Sequence, residues 1–355
     1  MHAVCSAAPR YAALARAELE AALPPGCAIA DLAPGSFLVS APGRFADLAP
    51  ALRDTVFVRH AGPADLAVPV PSAPTDAAGS PPADEGRAGP RWAREVLAPR
   101  LGEILGPAGP AAAPRAQVQV QVLPGAPRWS PGRVAAALRP HLAAFGVEAA
   151  SGPADLALSV AIAPGAAFAG FGPVAANLAP WPGGAARLQA RPGEISRSAR
   201  KLEEALELFS VALPPNPRAL DLGAAPGGWT SLLLAKGAHV TAVDPGLLDP
   251  ALRAAPGLTV LRGSAAAVPV PPGPFDLLAV DMNGDPGAAA RAAARFHPAL
   301  RPGAPGIFTI KFFRGASPTE TVRATRARLA RAGFTVVAVR HLFHDREEAT
   351  AFLRA

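Results

Sequence analysis

The 355-residue chain is short of lysine: of 34 basic side chains only Lys201, Lys236 and Lys311 are lysines. Asparagine is as thin (Asn177, Asn216, Asn283), and methionine occurs only as Met1 and Met282. Lysine is ordinarily among the commonest residues. Its codons are AT-rich, whereas those of Ala, Gly, Pro and most of Arg are GC-rich, so a GC-biased genome has replaced lysine wherever charge alone was needed. The two cations are not equivalent where a compact, titratable ammonium is required. Each remaining lysine therefore poses a question about chemistry.

Cysteine is scarce too. Cys5 and Cys27 are too few for a disulfide scaffold or a four-ligand metal site, and no metal is expected; a reducing cytosol is the expected compartment. No basic-then-apolar signal segment opens the chain. The positive mean hydropathy, +0.23, comes largely from alanine. The uncharged stretch Leu156–Ala186 is long enough to cross a bilayer, but Pro164, Pro173, Pro180 and Pro182 interrupt it. It reads as a strand followed by a linker, with no membrane partner. The net charge of +7 is uneven: the balance is +1 up to residue 195 and +6 beyond it. A basic C-terminal part suits a polyanion.

At about 150 residues per domain the length allows two or three folded units. Arg10–Leu23 has helical spacing, and 37–40 and 55–59 read as strands. Residues 63–90, rich in Pro and Ala, read as a linker. A second small α/β module follows over 91–175, with helices at 92–105 and 131–145 and strands at 117–122 and 156–162; QVQVQV alternates as a half-buried strand does. Residues 176–195 form a further linker. From 196 to 355, strands are expected at 219–223, 239–244, 258–263, 276–282, 306–312, 334–340 and 349–353. Helices are expected at 198–210, 227–236, 286–299 and 317–332. Such alternation predicts an α/β domain with a mostly parallel, seven-stranded sheet.

The sharpest motif is ALDLGAAPGGWT, Ala219–Thr230: a strand ending at Asp221, a turn holding Gly223, Pro226, Gly227 and Gly228, then a helix beginning near Trp229. Glycines let backbone approach a ligand, and a helix N-terminus offers free N–H groups. Asp244 closes the next strand, where a carboxylate can accept from both ribose hydroxyls. The pair points to a nucleoside-type cofactor and leaves its identity open. The spacing departs from the dinucleotide fingerprint, which disfavours a nicotinamide oxidoreductase.

D-L-G-x-x-P-G-G-W resembles the S-adenosylmethionine loop of the FtsJ-type RNA ribose 2′-O-methyltransferases. That resemblance implies a Rossmann-like class I methyltransferase domain, with the cofactor's methionine moiety over Gly223–Gly228 and its ribose at Asp244. It also implies a Lys–Asp–Lys–Glu tetrad, for which Lys201, Asp281, Lys311 and one of Glu347 and Glu348 stand at the expected places; Glu348 is preferred because it abuts the last strand. Ser264 occupies the place where the family has an acidic contact to adenine.

A ribose 2′-hydroxyl is a poor nucleophile that needs an adjacent base. A lysine can serve if its pKa is lowered, by burial or by a second ammonium, whereas arginine stays protonated. The expectation is that Lys201 beside Lys311 lowers it, against the pull of Asp281 and Glu348. Simpler readings are that Lys201 pairs with Glu204 one turn on, that Asp281 caps the next helix, and that Lys236 decorates a helix end.

The segment D-M-N-G-D-P after the fourth strand lacks the aromatic of amine-directed methyltransferases, which favours a ribose acceptor. S-R-S-x-x-K-L-E-E-A, D-M-x-x-x-P and H-D-R-E-E are similar, in order and spacing, to the RlmM group, which methylates a cytidine of 23S rRNA. That similarity implies a ferredoxin-like module over 1–62, a THUMP-like RNA-binding module over 91–175 and RNA as partner. Arg115, Arg128, Arg133 and Arg139 are the candidate grip on RNA in the second module. Alternatives are a 2′-O-methyltransferase of tRNA or mRNA caps and a non-catalytic assembly factor.

Overall fold

A computed structural model describes residues 1–71, 85–106, 113–191 and 193–355, and the chain divides into two units, Met1–Ala185 and Ala186–Ala355. The first begins with β1 (His2–Ala7), α1 (Ala12–Ala22), β2 (Ala28–Ala33), β3 (Ser36–Ser40), α2 (Phe45–Leu52) and β4 (Val58–Pro63). Their strands form an antiparallel sheet in the order β2-β3-β1-β4. Two of these strands escaped the sequence reading. One, β2, is a mostly exposed edge strand, AIADLA, with little periodic signal.

The same unit continues with β5 (Leu66–Pro69), α3 (Glu85–Trp92), α4 (Gly102–Leu105), β6 (Arg115–Val122), α5 (Pro131–Leu142), β7 (Glu148–Ala149), β8 (Leu156–Ile162) and β9 (Ala166–Pro173). A second sheet runs β5-β9-β8-β6-β7. Helix α5 starts where Ser130 caps it by accepting from Arg133 N, with Pro131 at the first turn. Its buried face, including Val134 and Leu138, packs with Trp92 and Trp129, whose rings lie 5.2 Å apart. Two stretches read as linker are strands. β5 alternates buried and exposed residues between prolines that bound it rather than interrupt it. β9 pairs with β8 across a turn at Pro164–Gly165, so the prolines of this stretch punctuate strands. Residues 72–84 of the expected linker lie outside the described residues. Both cysteines are free thiols, and burial pushes that of Cys5 up to about 12.

The second unit comprises α6 (Ser198–Leu208), β10 (Arg218–Leu222), α7 (Gly228–Ala235), β11 (His239–Asp244), β12 (Leu258–Arg262), β13 (Leu277–Val280), α8 (Pro286–Phe296), β14 (Pro305–Lys311), α9 (Pro318–Arg331), β15 (Thr335–Arg340) and β16 (Glu348–Arg354). Its seven-stranded sheet runs β12-β11-β10-β13-β14-β16-β15. The first five are parallel, and β16 inserts antiparallel between β14 and β15. The central strand β13 is buried along its whole length, as parallel strands covered on both faces are. This is a methyltransferase-type α/β fold. Its strand order reverses beside β10, so β10, β11 and β13 open their carboxyl ends onto one crevice, where such folds bind ligands. Among the described residues no helix is long and apolar enough to cross a membrane.

Candidate active site

Four charged side chains meet at the carboxyl edge of this sheet. Lys201 Nζ donates to Asp281 Oδ1 at 2.9 Å and to Glu348 Oε1 at 3.0 Å; Lys311 Nζ donates to Asp281 Oδ1 at 2.8 Å and to Glu348 Oε2 at 2.6 Å. Each cation bridges both anions, closing a ring with no net charge. Each member arrives by a different route. Asp281 is the first residue past β13. Lys311 ends β14, and antiparallel pairing puts Glu348 directly across from it. That register separates the two candidate glutamates: Glu347 is exposed, and among the described residues only its carbonyl is engaged, by Phe312 N at 2.8 Å. Neighbouring strand residues point to opposite faces, so one position decides the matter.

Lys201 is 4% exposed on the first turns of α6. No acidic residue occupies that turn, so the helix itself offers the cation nothing. The ring partners do, and Trp229 adds its face 5.5 Å from Nζ while its Nε1 donates to Ser198 O at 2.9 Å. Glu204 does not pair with Lys201. Its carboxylate accepts from Phe343 N at 2.7 Å, His344 N at 3.0 Å and His344 Nδ1 at 2.7 Å, tying α6 to the loop before Glu348. Nor does Asp281 cap α8; Asp285 does, accepting from Gly287 N and Ala288 N.

The expected lowering of lysine pKa is not found. Burial pulls the Lys311 ammonium down, but contact with Asp281 and Glu348 more than reverses it, so the pKa stands above the ordinary lysine value. Burial raises Asp281, and the two ammonium groups reverse that in turn, leaving it below the usual carboxylate value. At Lys311 the two oppositely charged neighbours outweigh burial and the single like charge.

The glycine loop is built differently from the expectation. A Cβ on Gly223, at φ +85°, would lie 2.8 Å from Asp281 O and from Met282 N. One on Gly228 would lie 2.6 Å from Ser198 Oγ. These two glycines let protein approach protein, bringing the end of β13 and the start of α6 against the loop. Gly227, at φ +118°, leaves no room beside Leu252, and Pro226 is exposed with its carbonyl bound by Asp249 N. Asp244 closes β11, half-buried, and accepts from Ala225 N at 3.1 Å and Gly246 N at 2.6 Å, so it shapes the loop from below. Asp221 is wholly buried beneath the loop; its Oδ2 accepts from Thr230 Oγ1 at 2.6 Å and its Oδ1 has no partner. Burial raises its pKa to about 7. Ser264 is exposed in the turn after β12, accepting from Ala266 N at 3.2 Å.

Two residues around the ring lie within the quoted motifs S-R-S-x-x-K-L-E-E-A and H-D-R-E-E, but nothing in the sequence marked the role each takes. Asp345, buried, accepts from Leu342 N and Thr350 Oγ1, and burial raises its pKa well above the carboxylate range. Glu204 reads in sequence as one of several glutamates on a helix face. Among the described residues no group of three or more His, Cys, Asp or Glu is placed to hold a metal ion.

The fold and the ring together define a class, and residues 195–348 match the family model for FtsJ-like methyltransferases. The similarity read from the motifs extends to particular proteins. The chain is 40% identical over 188 residues to ribosomal RNA large subunit methyltransferase M of Methylococcus capsulatus, covering 49% of this chain and 51% of that one. It is 37% identical over 187 residues to the protein of the same name from Laribacter hongkongensis, covering 49% and 52%. The match thus spans about half the length of these relatives. Among solved structures, TrmN from Thermus thermophilus aligns over 100% of this chain and 99% of its own at 17% identity, with a TM-score of 0.37.

Proposed function

We propose that the protein transfers a methyl group from S-adenosylmethionine to a ribose 2′-hydroxyl of RNA, with a cytidine of 23S rRNA as the target. The ring of Lys201, Asp281, Lys311 and Glu348 carries this reading, because two lysines survive the bias against lysine at the one place where a titratable amine meets two carboxylates. The cofactor fits the loop. Asp221 Oδ1, an acceptor buried without a partner, suits an ammonium group, and Asp244 at the end of β11 suits a ribose. Gly223, Pro226, Gly227, Gly228 and Trp229 lie in the loop and helix start between these two carboxylates in sequence, and Ser264 is exposed in the turn after β12. When bound, the cofactor supplies an electrophilic methyl group. Asp281 and Glu348 hold the two ammonium groups in register. Lys311 orients the hydroxyl and takes its proton in the fraction of molecules that have lost their own. Lys201, the more deeply buried, donates to both carboxylates and fixes them.

For the first unit, the chain order β-α-β-β-α-β and the sheet order β2-β3-β1-β4, all antiparallel, support a ferredoxin-like module. We read the second sheet as a THUMP-like RNA-binding module, a reading supported by the exposed Arg115, Arg128, Arg133 and Arg139. Incubating protein, methyl-labelled cofactor and unmodified 23S rRNA, then mapping the label, tests the whole. Label on a ribose of 23S rRNA is the expected result. Label on a base, or on tRNA or cap ribose instead, overturns the substrate, and no transfer at all leaves the assembly-factor alternative.

A further inference from the structure

Aromatic side chains are few: 15 Phe, 4 Trp and 1 Tyr, all among the described residues. Only two of them are exposed, Phe313 at 48% and Phe343 at 40%. Single exposed apolar residues are ordinary on protein surfaces. That both exposed aromatics flank the charged ring is not.

Phe313 lies two residues beyond Lys311, and the amide before it, Phe312 N, is bonded to the carbonyl of Glu347. Phe343 reaches the ring from a different segment, the loop before Glu348, where its amide donates to Glu204, one turn of α6 beyond Lys201. Its ring meets His344 edge-on at 5.3 Å. Three exposed arginines accompany them, each within four residues of a ring member: Arg197 before Lys201, Arg314 after Lys311 and Arg346 before Glu348. Aromatic faces set among cations match a single-stranded polyanion with flat bases. An apolar protein surface would leave the arginines unanswered.

We propose that Phe313 and Phe343 are a stacking platform for the nucleobases on either side of the reacting nucleotide, with Arg197, Arg314 and Arg346 taking the adjoining phosphates. The proposal rests on the RNA-ribose reading above and adds the form in which RNA is presented. A hydroxyl can reach a buried ring only if its nucleotide leaves the helix, and the neighbours then lose their stacking partners. Aromatic side chains replace those partners without regard to sequence, since every base has a π-face. Arginine supplies bidentate phosphate contacts beside them.

The test uses the full chain and a short single-stranded oligoribonucleotide carrying one 2-aminopurine, whose fluorescence is quenched when it stacks. Phe313→Leu and Phe343→Leu keep apolar bulk and remove the π-face. Each is expected to relieve quenching and weaken binding about tenfold, and Phe→Trp at either site to restore both. The slope of log affinity against log salt should stay unchanged in the Leu variants and fall by about one in Arg314→Gln. Thermal melting, unmoved because both rings are exposed, controls for misfolding. Leu variants that bind and quench like the unaltered protein overturn the platform, as does weakening that Trp fails to rescue. Methyl transfer is scored separately. An unaltered protein that leaves ribose unmethylated while its Leu variants lose stacking overturns the chemistry and upholds the platform.

Discussion

The two units bury polar groups in different ways. In the second, much of the buried polarity is charged and mutually satisfied: two lysines and two carboxylates share four short contacts, and Glu204 collects three donors from a distant loop, while Asp221 Oδ1, His297 Nε2 and Thr309 Oγ1 have no partner among the described residues. In the first it is neutral and left over. His60, Gln119, Ser159 and Asn177 each hold at least one buried nitrogen or oxygen with no partner among the described residues, and three of them line a cavity of ≈ 10 Å³, about the space one water needs. An ionised ring this well made is an arrangement for chemistry, because apolar residues of equal volume would stabilise a core as well or better. Unpaired amides serve neither end and cost about 1–3 kcal/mol each.

The largest expected effect removes the chemistry and keeps the charge. Lys311→Arg retains a cation opposite Glu348 but cannot lose a proton, and methyl transfer should fall by about 10²–10⁴-fold while calorimetric cofactor binding stays unchanged. Because the two carboxylates raise the Lys311 pKa, the neutral amine is a small fraction at pH 7. The single-turnover rate of the unaltered protein should therefore rise with pH, approaching about tenfold per unit, with no plateau up to about pH 9.5. A plateau near neutrality would mean that RNA binding depresses that pKa, and activity in the Arg variant would remove Lys311 from the proton's path.

Next comes pH-dependent stability, which separates the units by sign. Asp221, raised to about 7, binds a proton in the folded second unit at pH values where the unfolded chain has lost it. Its favourable contribution is complete below the unfolded value near 3.8 and gone above about 7, a loss of about 4 kcal/mol across that window. Asp281, held low, acts only below its unfolded value, and Lys311, held high, only above its own, so neither blurs the window. Urea midpoints should fall from pH 5 to pH 8 for the unaltered protein and fall less for Asp221→Asn, in which Asp345, also raised by burial, remains. His60 does the reverse in the first unit. Burial lowers it to about 4, so it is neutral when folded and costs about 3 kcal/mol as the pH falls from 6.5 towards 4. Hydrogen exchange of β4 amides, corrected for intrinsic rates, should show protection weakening on acidification while β10 amides gain it. Parallel behaviour of the two strands would refute the contrast.

The same contrast runs through what the sequence made legible. The strand–helix alternation of the second unit follows from apolar runs bounded by glycine and proline, and all four members of the ring could be named because lysine is rare and strand ends are easy to find. Glu204 could not. Its partners lie 139 and 140 residues away, and on a helix beside Lys201 it reads as an ordinary intrahelical pair. Nor could the work of Gly223 and Gly228, since small residues signal close approach without saying what approaches. In the first unit QVQVQV announced β6 by its period of two, whereas β5 and β9 hid among prolines and alanines that look like linker. Protonation states were the least legible, because they depend on how many unlike charges fold brings together.

The smallest expected effect tests whether the first unit's leftover polarity has any use. Both side-chain atoms of Asn177 lack partners, and its amide lies in the group formed by His60, Gly62 and Ser159. Asn177→Leu keeps the branching at Cγ, though with more bulk, and removes two unsatisfied groups, so it gains their desolvation cost and adds apolar burial, offset in part by tighter packing. It leaves His60 Nδ1, Gln119 Oε1 and Ser159 Oγ as they are, which limits the gain. A stabilisation of about 1 kcal/mol, read as a shifted urea midpoint at unchanged slope, is expected. A loss of about 2 kcal/mol or more would show that Asn177 is bonded through a molecule the cavity holds, and the contrast between the two units would then shrink.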